Sequence, residues 1–281
     1  MSFPYKAIFV DLDGTLLNSQ KKITPRTAYC LNSFIEKGIH VVIATGRTIL
    51  SAGKVITPLN TTAPVITLNG SHIVHRHEGH PLITFYLTPK TRNSIMEFAK
   101  YVLTSRQDEY TITNIIADTT QGFYALDPHH PILTEFYDHY STPADLLDLN
   151  NPPPVPVASF LFLLSDSSKR NIFIEDKKKM LGDDVHLCVF NGWPWIELGS
   201  STTNKGAALK YVCDHLGIKP EETIAFGDGQ NDVEMLKTAG LGVAMSNGDS
   251  SVLEATEARA LSNDEDGVAI FLETLERIER S

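Results

Sequence analysis

The chain has 281 residues, of which 42% are hydrophobic and 21% charged, and its formal net charge is −10 at pH 7. This is the composition of a globular protein and excludes a disordered or fibrous one. The acidic balance argues against nucleic acid as a partner, because a broad nucleic-acid footprint requires clustered Lys and Arg. No stretch reaches the roughly 20 apolar residues of a membrane-spanning helix, so we expect no membrane partner, and the oligomeric state stays open.

The cysteines are three in number, far apart and without a C-x-x-C pair: Cys30, Cys188 and Cys213. This pattern favours neither a disulfide framework nor a zinc site. The first residues run directly into an apolar segment, without the basic region and apolar stretch of a secretory signal. We therefore expect a cytoplasmic protein.

The first part of the chain alternates short apolar runs with helical patterns. Residues 7–10 predict a buried strand, Thr24 and Pro25 open a helix that Gly38 ends, and residues 39–44 predict a second strand. A helix over residues 49–55 and a third strand over residues 64–68 follow. Asn69-Gly70 is a turn signal that leads into a predicted hairpin ending near residue 85.

The pattern changes after residue 85. Thr88-Pro89 predicts the start of a helix. Strands are then predicted over residues 110–116, 122–126, 160–164 and 185–190, and a second helix over residues 168–181. From about residue 203 the alternation of strands and helices resumes. Helices are predicted over residues 205–216 and 232–239, and strands over residues 223–226 and 241–244. The middle of the chain is therefore predicted to be an inserted α+β domain.

This order of elements predicts the α/β fold class. The outer segments, residues 1–82 and 192–281, are expected to form a doubly wound, three-layer Rossmann-like core, because parallel crossover connections are right-handed. Residues 83–191 are expected to form the inserted domain. A main domain with a second one inside it also fits the length of the chain.

Acidic residues follow two predicted strands at opposite ends of the chain. Asp11 and Asp13 come directly after the first strand, and Asp228 follows the strand over residues 223–226. Gly14 allows the backbone to turn sharply after the first pair. Open α/β sheets bind their ligands beyond the carboxyl ends of the strands, so these carboxylates predict one metal-assisted phosphoryl-transfer site.

The carboxylates differ in predicted role. An ionised aspartate held in line can attack phosphorus, and phosphoryl transfer gains mainly from positioning and charge neutralisation. Asp11 and Asp228 suit the oxygen ligation of Mg²⁺. Asp13 is predicted to protonate the leaving oxygen and then to take a proton from the water that opens the aspartyl-phosphate. Crowding among carboxylates can raise one pKa enough for that role.

Four segments, in order along the chain, resemble the motifs of the haloacid dehalogenase-like phosphohydrolases. Residues 11–16, with the pattern D-x-D-G-T-L, resemble the first motif, and Thr45-Gly46-Arg47 resembles the second. Asn204-Lys205-Gly206 resembles the third motif. Residues 227–232 resemble the fourth motif as it occurs in the Cof-type branch, which Asn69-Gly70 also fits.

The resemblance implies a role for each of these residues. Phosphate-binding roles are implied for Thr45, Gly46, Lys205 and Asn231. Mg²⁺ would be held by Asp11, Asp228 and the backbone carbonyl of Asp13, with Asp232 supporting the ion or its waters. Arg47 is left with two alternatives, a supporting role beside the phosphate-binding turn or a salt bridge to the core surface or the lid. The insertion is similar in position and length to the family's C2-type cap, a lid that closes over small substrates.

The function favoured by these observations is a Mg²⁺-dependent phosphomonoester hydrolase. Its expected substrates are small soluble phosphorylated metabolites, either sugar phosphates or phosphorylated cofactors. A sugar phosphomutase is the first alternative, because related mutases share the D-x-D-G-T motif and a similar lid. Thr45-Gly46-Arg47 resembles the phosphatase branch more closely. A non-catalytic phosphate-ligand binding protein is the second alternative, and nothing in the sequence favours it.

Overall fold

A computed structural model describes residues 3–76, 80–131, 133, 145–189 and 194–280. The chain divides into two compact units. The first unit is formed by Met1–Thr84 together with Asn204–Ser281, and the second by Phe85–Thr203.

The regular elements of the described residues are numbered in chain order. The strands are β1 (Ala7–Val10), β2 (His40–Ile43), β3 (Val65–Thr67), β4 (His72–Val74), β5 (Pro81–Thr84), β6 (Ile112–Thr119), β7 (Gly122–Ala125), β8 (Asp145–Leu146), β9 (Ser159–Leu164), β10 (Val185–Val189), β11 (Trp195–Ser200), β12 (Thr223–Gly227), β13 (Leu241–Met245) and β14 (Ala258–Ala260). The α-helices are α1 (Pro25–Glu36), α2 (Ile49–Val55), α3 (Pro89–Ser105), α4 (Arg170–Leu181), α5 (Lys205–Leu216), α6 (Val233–Thr238), α7 (Ser250–Ala255) and α8 (Gly267–Arg280).

A parallel sheet forms the centre of the first unit, with its strands in the order β14-β13-β12-β1-β2. Its central strand β1 is buried along its whole length, as expected for a parallel sheet that is covered on both faces. Ile8 and Val10 pack on one face with residues of α1 and α8, and Phe9 packs on the other with residues of α5 and α6. The first unit is therefore a three-layer α/β core, and the predicted fold class is confirmed.

A second, antiparallel set of strands extends the edge of this unit. β3, β4 and β5 pair in that order, and a bridge between Ala44 and Ile66 joins β3 to the segment that follows β2. A short 3₁₀ turn over Leu68–Gly70 connects β3 to β4. Leu68 and Asn69 have φ angles of 47° and 51°, which are uncommon for residues with a side chain.

The second unit is an α+β unit. Its six-stranded sheet has the order β10-β11-β9-β6-β7-β8, with β7 and β8 parallel and the other pairs antiparallel. α3 and α4 pack on one face of this sheet through Phe98 and Phe173, whose ring centroids lie 5.2 Å apart. Among the described residues of both units, no helix combines the length and the hydropathy needed to cross a lipid bilayer.

The boundaries between the units fall later in the chain than the sequence indicated. They lie after residues 84 and 203, whereas the sequence placed them after residues 82 and 191. The second difference arises because β11 pairs with β9 and β10 of the inserted sheet. Its apolar residues Ile196 and Leu198 complete the core of the second unit. An apolar run indicates a strand, but it does not indicate which sheet the strand joins.

Candidate active site

The acidic residues lie at the carboxyl ends of neighbouring strands of the parallel sheet. Asp11 follows β1 and Asp228 follows β12, and these strands pair in parallel from Ala7 and Thr223 onward. The N–H of Asp11 donates to the carbonyl of Phe226 across 3.1 Å, which continues the pairing to the end of the strands. The two acidic segments, far apart in the sequence, therefore meet at one edge of the sheet.

Lys205 lies at the first position of α5 and is fully buried. Its Nζ lies 2.6 Å from Oδ1 of Asp11 and 2.6 Å from Oδ1 of Asp232. Burial by itself would lower the pKa of Lys205, but the two carboxylates outweigh it and raise the pKa above its usual value. A buried ammonium group needs such partners, and it fixes the position of both acids.

Asp232 holds the loop that carries Asp228. Its Oδ2 accepts hydrogen bonds from the backbone N–H groups of Asp228 and Gly229, each across 3.0 Å. A Cβ on Gly227 would lie 2.4 Å from Cβ of Asp232, so this approach requires glycine. Both oxygens of Asp232 have partners within the protein, and Asp232 therefore organises the site.

The carboxylates form a group that could hold a cation. Oxygen atoms of Asp11, Asp228 and Asp232 lie within 4.8 Å of one another. Burial raises the pKa of Asp11 well above its usual value, although Lys205 opposes the shift. Burial and the charge of Asp232 raise the pKa of Asp228 to about 7. Three carboxylates around one lysine leave an excess of negative charge when they are ionised, which is the condition that a divalent cation relieves.

Gly14 and Thr15 shape the same group. Gly14 has a φ of +85°, and a Cβ there would lie 2.2 Å from Oδ2 of Asp228. The hydroxyl of Thr15 donates to Oδ1 of Asp228 across 2.6 Å. The residues after Asp13 therefore position a carboxylate from the far end of the chain.

Asp13 is held by two cations and lies apart from the buried group. Arg47 donates to both of its oxygens across 2.6 Å, and Nζ of Lys21 lies 2.9 Å from Oδ1. Burial would raise the pKa of Asp13, but these contacts dominate and lower it to about 2. The sequence-based idea of a raised pKa at Asp13 is therefore wrong in this state. The hydrogen-bond donors to the Asp13 side chain are cations, and the ion pair of Arg47 is made with this predicted catalytic residue.

The predicted phosphate-binding turn lies beside these residues. Oγ1 of Thr45 accepts a hydrogen bond from the N–H of Arg47 across 3.1 Å. Asn69 donates its N–H to the carbonyl of Thr45 across 3.1 Å, and its Oδ1 accepts from Nδ2 of Asn231 across 2.9 Å. A Cβ on Gly46 would lie 3.1 Å from Oδ1 of Asn69. The turn over residues 45–47 and Asn231 are thus joined through Asn69.

All residues predicted to form the site lie in the first unit, and the structure brings them together. Asp11, Lys205 and Asp232 are buried, and Asp228 beside them is half-buried, as are Asp13 and Arg47. The sequence patterns predicted no role for Thr15 or Lys21. Thr15 could have been found, since it belongs to the first motif, whereas Lys21 depends on a loop conformation that residue types alone do not specify.

An α/β core with acidic residues at the carboxyl ends of β1 and β12 and a buried lysine between them is the framework of a phosphoryl-transfer enzyme. Residues 8–272 match the haloacid dehalogenase-like hydrolase family. The chain therefore belongs to this family and is an enzyme of the phosphatase type, which confirms the resemblance found in its motifs.

Relatives of known name agree with this assignment. The 5-amino-6-(5-phospho-D-ribitylamino)uracil phosphatase YitU of Bacillus subtilis is 30% identical over 96% of this chain and 96% of its own length. The HMP-PP phosphatase of Klebsiella pneumoniae is 32% identical over 84% of this chain and 82% of its own length. A haloacid dehalogenase-like hydrolase from Bacteroides thetaiotaomicron has a similar crystal structure, with a TM-score of 0.77, 29% identity and coverage of 98% of this chain and 99% of that one.

Proposed function

We propose that this protein is a Mg²⁺-dependent phosphomonoester hydrolase that acts on small phosphorylated metabolites through an aspartyl-phosphate on Asp11. The observation that carries the proposal is the placement of Asp11. Lys205 holds one of its oxygens at 2.6 Å, and no described residue donates a hydrogen bond to the other. A carboxylate fixed in this way presents one oxygen to an incoming phosphorus atom.

The donor set suits Mg²⁺. The ion would be held by a carboxylate oxygen of Asp11, by Asp228 and by the backbone carbonyl of Asp13, with Asp232 supporting the arrangement. These are oxygen donors, as Mg²⁺ prefers, and few enough to leave room for water and a phosphate oxygen. When bound, the ion neutralises charge on the phosphoryl group and on the carboxylates. The grouping of carboxylate oxygens from Asp11, Asp228 and Asp232 within 4.8 Å of one another supports this assignment.

The two aspartates of the first motif divide the chemistry. Asp11 attacks phosphorus, the bond from phosphorus to the ester oxygen breaks, and the leaving alcohol takes a proton from Asp13. Asp13 then removes a proton from the water that attacks the phosphorus of the aspartyl-phosphate, which releases inorganic phosphate and restores Asp11. For the first step Asp13 needs a proton on Oδ2, so the hydrogen bond from Nε of Arg47 to that oxygen must weaken when substrate is bound.

The remaining residues bind the phosphoryl group. Thr45 would donate its hydroxyl and Gly46 its backbone N–H, while Lys205 and Asn231 would contribute positive charge and an amide donor. Such donors stabilise the charge that spreads over the equatorial oxygens in the transition state. The link from Asn231 through Asn69 to the turn, with one side-chain contact of 2.9 Å, supports this role because it keeps the donors in fixed relative positions.

The inserted unit, residues 85–203, is proposed to be a C2-type cap that acts as the substrate lid.

Relatives named for a ribitylamino-uracil phosphate and for HMP-PP support a small phosphorylated metabolite as the substrate. The cytoplasm remains the expected compartment, because the three cysteines of the sequence are far apart and form no C-x-x-C pair.

The test is phosphate release from sugar phosphates, nucleotides, flavin phosphates and pyridoxal phosphate, with Mg²⁺ or with a chelator. Wild-type protein and Asp11→Asn are compared, and Asp214→Asn, at an exposed aspartate of α5, serves as the matched control. We expect Mg²⁺-dependent release by the wild type and the control and at least a 100-fold loss in Asp11→Asn, as for other covalent nucleophiles. Unchanged release by Asp11→Asn would exclude the covalent mechanism.

A further inference from the structure

The loop over residues 18–22 has a fixed conformation. Oδ1 of Asn18 accepts hydrogen bonds from the backbone N–H groups of Gln20 and Lys22, each across 3.0 Å. The N–H of Ser19 donates to Oδ1 of Asp264 across 2.7 Å, which ties the loop to the C-terminal part of the first unit. Within this loop Lys21 has a φ of 57°, in the left-handed region that a residue with a Cβ rarely adopts.

The unusual backbone of Lys21 coincides with a contact to Asp13. Nζ of Lys21 lies 2.9 Å from Oδ1 of Asp13, and the lysine side chain is 48% exposed. An ion pair at this exposure contributes little to folding, so the contact with Asp13 offsets little of the cost of a left-handed lysine. Backbone strain of this kind concentrates at functional sites.

The contact from Lys21 complements the one from Arg47. Arg47 donates two hydrogen bonds from one planar guanidinium group, one to each oxygen of the Asp13 carboxylate. Lys21 donates from a separately anchored loop. Together the two cations fix an otherwise exposed carboxylate from two segments of the chain, and Lys21 is the one that no motif contains.

We propose that Lys21 is a positioning residue for the reaction, which keeps the carboxyl group of Asp13 where it protonates the leaving oxygen. The inference rests on the proposed function, in which Asp13 is the general acid. A general acid matters most when the leaving group is basic. Loss of Lys21 should therefore slow the hydrolysis of alkyl phosphates much more than that of esters whose leaving group departs without a proton.

The experiment compares 2-phenylethyl phosphate, which has a basic leaving group, with 4-nitrophenyl phosphate, which has a weakly basic one. The variants are Lys21→Met, which removes the charge, Lys21→Gly, which also removes the left-handed strain, and Lys21→Arg, which keeps the charge. Lys22→Met is the control, because Lys22 is an exposed lysine of the same loop. kcat and KM are measured for both esters with Mg²⁺ present.

We expect Lys21→Met and Lys21→Gly to lose about tenfold in kcat on 2-phenylethyl phosphate and less than about twofold on 4-nitrophenyl phosphate, as for partial loss of general-acid catalysis. Lys21→Arg and Lys22→Met should stay near the wild type on both esters. Equal losses on the two esters, no loss, or wild-type behaviour of Lys21→Gly would overturn the positioning role. If the wild type hydrolysed neither of the two esters, that result would instead contradict the proposed function.

Discussion

Lys205 donates a hydrogen bond to Asp11 across 2.6 Å although the two residues are 194 positions apart in the chain. Asp11 directly follows the first strand in the chain, β1, whereas Lys205 begins the helix that follows the inserted unit. The contact thus joins the two chain segments that form the first unit. The buried charges of the site are balanced only after both segments have folded together.

Replacement of Lys205 by Met should affect both folding and activity. The change leaves Asp11 and Asp232 as buried carboxylates without their cation, and breaking such a pair costs about 3–5 kcal/mol. We expect a lower free energy of unfolding in urea and loss of phosphate release. Lys210→Met, at an exposed position of α5, is the control and should unfold like the wild type. Equal stability of the two variants would contradict the buried network.

Gly14→Ala should impair the site more than the fold. The new Cβ would lie 2.2 Å from Oδ2 of Asp228, which can move as a flexible side chain but would then leave its position. Gly38→Ala is a matched control, because Gly38 has a nearly identical φ of +84° and nothing within 4 Å of the added Cβ. We expect both variants to lose about 1 kcal/mol of stability from left-handed backbone strain. Activity should fall only in Gly14→Ala, and an equal fall in both would assign the effect to strain.

Mg²⁺ should stabilise the folded protein through Asp228. A ligand that binds only the folded state adds about 2.7 kcal/mol at a concentration 100-fold above its Kd. We expect the melting temperature of the wild type to rise with MgCl₂ and to return to its starting value with a chelator. Asp228→Asn should show a much smaller rise, while Asp214→Asn should match the wild type. A full rise in Asp228→Asn would place the ion elsewhere.

Stability should depend on pH through Asp118 of β6 in the second unit. Burial, with the charge of Glu197, raises the pKa of Asp118 to about 8. Between about pH 4 and 8 the unfolded chain ionises this carboxyl while the folded protein keeps it protonated, so its contribution to stability is lost as pH rises. Each unit of pKa difference corresponds to about 1.4 kcal/mol.

The check is urea unfolding of the wild type and Asp118→Asn between pH 4 and 9. The wild type should lose up to a few kcal/mol relative to the variant as pH rises to 8, and the difference should then become constant, because the folded protein also ionises there. Asp108→Asn, at an exposed aspartate of the same unit, should change nothing. A constant difference between the wild type and Asp118→Asn over the whole range would contradict the raised pKa.

Much of the first unit could be predicted because its signals are local. The apolar runs that end at Asp11 and Asp228 indicate buried parallel strands, and the carboxyl ends of such strands lie at one edge of the sheet. The caps of α1 and α5, Thr24 and Asn204, mark the starts of their helices, and each side chain accepts an N–H three residues on. Sequence patterns of this kind need no knowledge of distant contacts.

Other features depend on distant contacts and were not predicted. The ion pair between Lys21 and Asp13 requires a left-handed residue and a loop anchored by Asp264, and neither follows from residue types. β11 joins the inserted sheet through pairing partners that an apolar run does not identify. The helix α8 was also not predicted, for a different reason. Its signal is local, because Val268 and Leu272, four residues apart, form its buried face.

The central claim is that Asp11 carries the phosphoryl group during turnover, and acid quenching of the enzyme in steady state tests it most directly. Digestion and mass spectrometry should find a phosphoryl adduct on the peptide that contains Asp11, and hydroxylamine should remove the adduct as expected for an acyl phosphate. Asp13→Asn should accumulate more of it with 4-nitrophenyl phosphate, because the water that opens the adduct loses its general base. Rapid turnover with no adduct in either protein, or an adduct on a peptide without Asp11, would contradict the account.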